Sequence, residues 1–160
     1  DGGVRIGALT TLAEIIASPL LGGPYLALPR SASSAGGEEL RGRATIGGNL
    51  CQRPRCWYLR SESICARKGG DLCLAADGES AYHGILGGDL CHMVHPSDVA
   101  PALVALDASA RIVGPAGTRM LPFEEFFLPP DRRARDSSEL SNGSRARRSS
   151  SAAHSASPIW

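Results

Sequence analysis

Arg41-Gly42-Arg43-Ala44-Thr45-Ile46-Gly47-Gly48-Asn49-Leu50 is the stretch on which the reading of this chain turns. Two adjacent glycines let a backbone approach a ligand closely and present its N–H groups. Thr45 and Asn49 add short side chains that hydrogen-bond. A Gly-Gly turn taken alone is weak evidence of a ligand site, because most such turns are plain hairpins. Beginning forty-six positions after Asn49, the run His95-Pro96-Ser97-Asp98 opens another apolar stretch. Asp98 there either caps a helix or accepts from a sugar-like hydroxyl, and the residues alone leave both readings open.

Around these two sites the pattern predicts a mixed α+β chain. Val4-Arg5-Ile6-Gly7-Ala8 alternates like a short strand. Thr10 or Thr11, with Glu14 close behind, starts a helix through Leu12, Ile15 and Ile16 that ends at Ser18 before Pro19. A weaker helical segment covers 25–35, and 43–50 forms the glycine turn. Ser97-Asp98 caps a helix over 99–106. Ala110–Val113 and Arg119–Leu121 read as two strands joined by a turn at Pro115-Ala116-Gly117. Phe123–Phe127 reads as a short helix.

Between the two motifs lies an irregular stretch, 51–95, that carries all five cysteines. So long a segment inside a domain needs something to hold it. The spacing Cys56-x8-Cys65-x7-Cys73-x17-Cys91 contains no short C-x2-C pair of the structural zinc kind. Wide gaps suit an iron–sulfur cluster, in which each thiolate takes its own iron. On spacing alone, a set of buried inert thiols fits equally well. Arg53, Arg55, Arg60, Arg67 and Lys68 flank the thiols and would offset an anionic centre, or are ordinary surface charge.

Composition bounds the function. The chain has 160 residues, 42% of them hydrophobic and 21% charged, with a net charge of +1. Disorder throughout, a membrane span and nucleic-acid binding driven by bulk charge are excluded. The charge is unevenly placed. Residues 131–160 hold six Arg against three acids and nine Ser, while 1–130 hold eleven Lys and Arg against thirteen acids. The Arg/Ser tail has too little apolar area to order itself and reads as disordered. Without pattern or interleaved aromatics, it reads as an extension without function, out-of-frame translation included, sooner than as an RNA-binding arm. The chain opens on Asp1 with no signal peptide behind it, which points to a reducing, cytoplasmic setting.

The run Arg41-x-x-Ala44-Thr45-Ile46-Gly47-Gly48-Asn49-Leu50 and the later Pro96-Ser97-Asp98-x-x-Pro101-Ala102-Leu103-x-Ala105-Leu106-Asp107-Ala108 resemble the FAD-binding subunit of molybdenum hydroxylases, the xanthine dehydrogenase family. The inserted stretch, with Arg55-Cys56-Trp57-Tyr58, Cys65-Ala66-Arg67-Lys68, Gly70-Asp71-Leu72-Cys73 and Gly87–Asp98, is similar to the aldehyde oxidoreductase-like branch, whose flavin subunit carries an extra [4Fe–4S] cluster. Gly42 departs from the family pattern, which has Asn there, and Ser31–Glu39 is unusually polar.

The resemblance implies an α+β chain that forms the second lobe of a two-lobed FAD-binding domain of the PCMH type. Its own region would run over 1–130, with 51–95 as a cysteine-rich, cluster-binding insertion. The first lobe, with the glycine loop for the pyrophosphate, would precede residue 1. The chain is thus expected to be a fragment. Thr45, Ile46, Gly47, Gly48 and Asn49 would contact the FAD, and Asp98 would bind a ribityl hydroxyl. Cys56, Cys65, Cys73 and Cys91 would hold the [4Fe–4S] cluster, leaving Cys51 spare. Partners would be a large subunit with a molybdenum cofactor and a small [2Fe–2S] subunit, with no nucleic acid and no membrane. Electrons would pass from iron–sulfur centres to FAD, so no residue, His83, His92, His95 and Ser97 included, is assigned a catalytic role. Co-export with a partner admits a periplasmic setting. The competing reading is a structural zinc module or a remnant without function.

Overall fold

Helix α1 (Leu12–Ala17) starts at the expected cap. Thr11 Oγ1 accepts from the Glu14 N–H at 3.2 Å, and Glu14 Oε2 accepts from the Thr11 N–H at 2.7 Å. This reciprocal box satisfies two donors that the first turn would otherwise leave open. α1 buries Leu12 and Ile15 and stops at Ser18, where Pro19 begins a 3-10 turn. α2 (Ala27–Ser34) buries Leu28, Pro29 and Ala32. Pro29 is tolerated because it sits in the first turn, where N–H groups lack helical partners anyway. α3 (Glu38–Arg41) is tied back to α2 by Arg41, whose guanidinium donates to the Ser33 carbonyl at 3.1 Å.

These elements belong to a computed structural model that describes residues 3–86, 91–115 and 117–127. The tail at 131–160, Gly87–Leu90 and Ala116 of the expected turn lie outside the described residues. The chain divides into two compact units, one of 3–52 with 97–127, the other of 53–96, counted over described residues.

In the first unit, α4 (Ile46–Leu50) and α6 (Ala100–Ala105) join α1 and α2 around one apolar core. Leu12, Ile15, Leu28, Ile46, Val99, Leu103 and Phe123 are each at most 1% exposed. β1 (Ser109–Gly114) pairs antiparallel with β2 (Gly117–Pro122), from Ser109 opposite Pro122 to Gly114 opposite Gly117. Gly117 closes the hairpin at φ +114°, a conformation side chains disfavour. α7 (Phe123–Phe126) follows at once, its Phe123 N–H donating to the Ala108 carbonyl at 3.0 Å. Helices with one small sheet make the α+β class.

Three expectations are corrected. Val4–Ala8 is not a strand. Ile6 and Ala8 alternate because one face packs, at 5% and 3% exposure, but the backbone turns at Gly7, whose carbonyl accepts from the Thr10 N–H. Residues 46–50 are a helical turn, not a hairpin. Its two glycines cost about 1 kcal/mol each relative to Ala. The Thr45 cap and burial of Ile46 and Leu50 on one face offset that cost. Finally, α6 starts at Ala100. Ser97 Oγ accepts from the Ala100 N–H at 3.1 Å, and Asp98 does not cap.

The second unit is built differently. Among its described residues only Pro54, Cys65 and Ala75 are buried. Its regular structure is α5 (Trp57–Arg60) and a 3-10 turn at Ala66–Lys68, closed by Gly69 at φ +97°. It leaves Tyr82, Ile85 and Leu86 at least 82% exposed.

Candidate functional site

The first site forms where two helix starts meet. Thr11 and Thr45 form an antiparallel bridge. The Leu12 N–H donates to the Ala44 carbonyl, and the Ile46 N–H to the Thr10 carbonyl, both at 2.9 Å. The Gly47 N–H donates to the Ala8 carbonyl at 2.9 Å, and a Cβ on Gly47 would stand 2.8 Å from that oxygen. Gly47 is therefore required by close backbone packing. The Gly48 N–H goes to Thr45 Oγ1 at 3.1 Å and the Asn49 N–H to the Thr45 carbonyl at 2.9 Å. So the N–H groups expected to face a ligand at 46–49 are used inside the chain, because the segment is a capped helical turn. Ile46 places its side chain in the core. Gly48 is exposed, and its bare Cα offers a flat surface.

Asn49 joins this turn to the distant motif. It is 7% exposed, and so is Ser97. Ser97 Oγ donates to Asn49 Oδ1 at 2.6 Å, the Val99 N–H reaches the same oxygen at 3.5 Å, and Asn49 Nδ2 donates to Asp98 Oδ2 at 3.3 Å. Gln52 Nε2 donates to the Asn49 carbonyl at 3.1 Å. Two buried polar side chains thus satisfy each other, as burial demands. They pin together the residues that flank segment 53–96. Asp98 itself is exposed and carries a negative charge beside Asn49. Ser97 was expected at the helix start, and it does accept from the Ala100 N–H there; its bond to Asn49, 48 positions away, had no signal in the sequence.

The second site lies within the second unit. Cys56, Cys65, Cys73 and Cys91 all line one cavity, with Tyr58, Leu59, Arg67, Leu74, His83 and Met93 around them. Cys56 sits at the start of α5, and Cys65 precedes the 3-10 turn. The Cys65 carbonyl accepts from the Lys68 and Gly70 N–H groups at 2.8 and 3.0 Å, which shapes the turn. The Ala76 N–H donates to the Cys73 carbonyl at 3.1 Å. His83 Nε2 stands 3.2 Å from Cys56 Sγ. Arg67 points its guanidinium at Met93 Sδ, 2.6 Å away.

All five thiols are free, and Cys51, exposed, belongs to the first unit. Burial pushes the Cys91 thiol above its ordinary value. The Met93 N–H and Arg67 pull it down, while Cys73 and Cys65 push it further up. Among the described residues, no three His, Cys, Asp or Glu side chains converge as a ready-made site for one metal ion. The four thiols belong to residues that line that one cavity. Among the described residues, too, no helix is long and apolar enough to cross a membrane.

Residues 1–142 match the family described as the FAD binding domain in molybdopterin dehydrogenase. The chain is 36% identical over 133 residues to the aldehyde oxidoreductase FAD-binding subunit PaoB of Escherichia coli K12, covering 81% of this chain and 42% of that protein. It is 41% identical over 51 residues to the xanthine dehydrogenase FAD-binding subunit of E. coli O157:H7, covering 32% of this chain and 18% of that protein. The chain therefore spans less than half the length of these relatives.

Proposed function

The chain belongs to the family of FAD-binding domains of molybdopterin dehydrogenases, and from that membership we propose that it serves in the FAD-binding, electron-transferring subunit of a molybdenum-containing aldehyde- or xanthine-type oxidoreductase. The observation that supports the reading beyond FAD is that four cysteines line one cavity, in the segment between the two flavin motifs. Four sulfur donors lining one cavity suit a [4Fe–4S] cluster, in which each thiolate takes one iron. Bound there, the cluster would supply one-electron transfer, and the FAD would exchange electrons with it and with an acceptor.

The residues of this chain bind and orient. Cys56, Cys65, Cys73 and Cys91 hold the cluster, and Arg67 offsets its negative charge. Gly48 offers a surface without a side chain to the flavin, and Thr45 and Gly47 hold that surface in place. Asn49 fixes Asp98, whose carboxylate accepts from a ribityl hydroxyl. In this reading 53–95 is the cluster-bearing part of the 51–95 insertion, and the rest of 1–130 is the second lobe of a PCMH-type domain. The partners are a molybdenum-cofactor subunit and a [2Fe–2S] subunit. The compartment is the cytoplasm, where free thiols persist.

The test is anaerobic purification of the full chain with iron and sulfide analysis. About four irons and a brown chromophore are expected. Because the pyrophosphate loop is expected in the first lobe, this chain alone is expected to hold FAD weakly or not at all, and flavin fluorescence after acid release measures that. One zinc and no iron would sink the cluster reading.

A further inference from the structure

We propose that His83 is a positioning residue for the iron–sulfur centre, donating a hydrogen bond from Nε2 to the Cys56 sulfur and raising the centre's reduction potential. The inference rests on the reading that Cys56 is a ligand, and it goes beyond it by assigning a part to a side chain outside the ligand set. The two atoms stand 3.2 Å apart across 27 residues of sequence. Imidazole nitrogen at that distance either donates to the sulfur or accepts from a thiol. A ligating cysteine is a thiolate with no proton to give, so the proton must sit on Nε2.

The other ring nitrogen, His83 Nδ1, is buried and has no hydrogen-bond partner among the described residues. Nε2 is thus the ring nitrogen that meets a partner, the Cys56 sulfur.

The geometry around His83 holds the ring in place. The Trp57 ring lies 5.2 Å away at 76°, edge to face, and the Tyr58 ring 6.2 Å away. The His83 N–H donates to the Ser80 carbonyl at 2.9 Å, and the next residue, Gly84, donates to the His92 carbonyl at 2.6 Å. Trp57 and Tyr58 directly follow Cys56, so the aromatic packing and the sulfur contact come from one short helix. A donor aimed at a ligand sulfur draws electron density from it. Such bonds favour the reduced cluster, whose charge is more negative, and are one of the protein's means of setting the potential.

The experiment is a redox titration of the full chain, reconstituted anaerobically with iron and sulfide and followed by its visible spectrum. Wild type is compared with His83→Ala and His83→Gln. His83→Ala is expected to keep its iron and to shift its midpoint to lower potential, a three- to tenfold loss in the reduction equilibrium. Tenfold corresponds to about 59 mV for one electron. His83→Gln, which retains an N–H donor, is expected to recover part of the shift. Iron-loaded His83→Ala with an unchanged midpoint overturns the proposal. If His83→Ala loses its iron, His83→Gln decides: retained iron with a midpoint at or just below wild type supports the donor role, and loss of iron overturns it. A wild-type chain that takes up no iron overturns the cluster reading itself and this inference with it.

Discussion

Residues 3–52 with 97–127 hide seven large apolar side chains almost completely, from Leu12 to Phe123, whereas the described part of 53–96 buries only Pro54, Cys65 and Ala75. The first unit is built round that apolar core. The second has no such core among its described residues, and there four cysteines line one cavity amid a network of turns. On the proposed cluster reading, ligand bonds would do for the second unit what the core does for the first, so that adjacent parts of one chain are stabilised by unrelated means. Each part should then fail under its own perturbation.

On the proposed cluster reading, the largest expected effect comes from stripping that cluster under reducing conditions. Amide exchange in 53–86 and 91–96 should speed by about a hundredfold or more, while Leu12 and Ile15 keep their protection. Leu12→Ala should act in the opposite sense. It costs the first unit about 2–5 kcal/mol and leaves iron content unchanged. Equal responses of both units to either treatment would break the comparison.

A smaller effect is expected at the clamp that joins the two motifs. Ser97→Ala removes the 2.6 Å bond to Asn49 Oδ1 and the acceptor for the Ala100 N–H. Both groups are buried, so the loss should be about 1–3 kcal/mol in denaturant titration. A change too small to measure would mean that water replaces the hydroxyl at no cost.

The smallest effect concerns acid. Hydrogen bonds from the Thr11 N–H, then from its hydroxyl, hold the Glu14 carboxyl below its ordinary value. A lowered folded value means that the box stabilises above the unfolded carboxylate value and loses that contribution as pH falls through the folded one. Glu14→Gln should therefore flatten the acid limb of thermal stability in the first unit. The gap between wild type and variant should close at the lowest pH. A gap that stays constant with pH would show that the charge of Glu14 plays no part.

Local chemistry explains what could be read along the chain. Thr11 and Glu14 lie three residues apart, so their capping box is visible as letters, and the helix they start is where the spacing predicts. The hairpin at 109–122 was legible for the same reason, since its alternation and its turn lie within one short window. Val4–Ala8 misled because alternation reports a one-sided burial and not a ladder partner. Gly47-Gly48 misled because glycine scores poorly in helices, while the packing that overrides propensity comes from Ala8, nearly forty positions earlier. The outward N–H groups inferred there vanish once Ala8, Thr10 and Thr45 supply acceptors.

The sequence by itself determined the inventory: two motifs, five cysteines between them, flanking cations, and helix caps written in adjacent residues. Residue type and short spacing suffice for these, because capping and turn formation act over three or four positions. Only the tertiary structure decided which groups meet. It gave Asn49 to Ser97 and Asp98, set His83 against Cys56, and gathered four widely spaced thiols around one cavity. Those pairings span from 8 to 49 positions. They depend on where buried polar groups find partners, which a one-dimensional pattern does not encode.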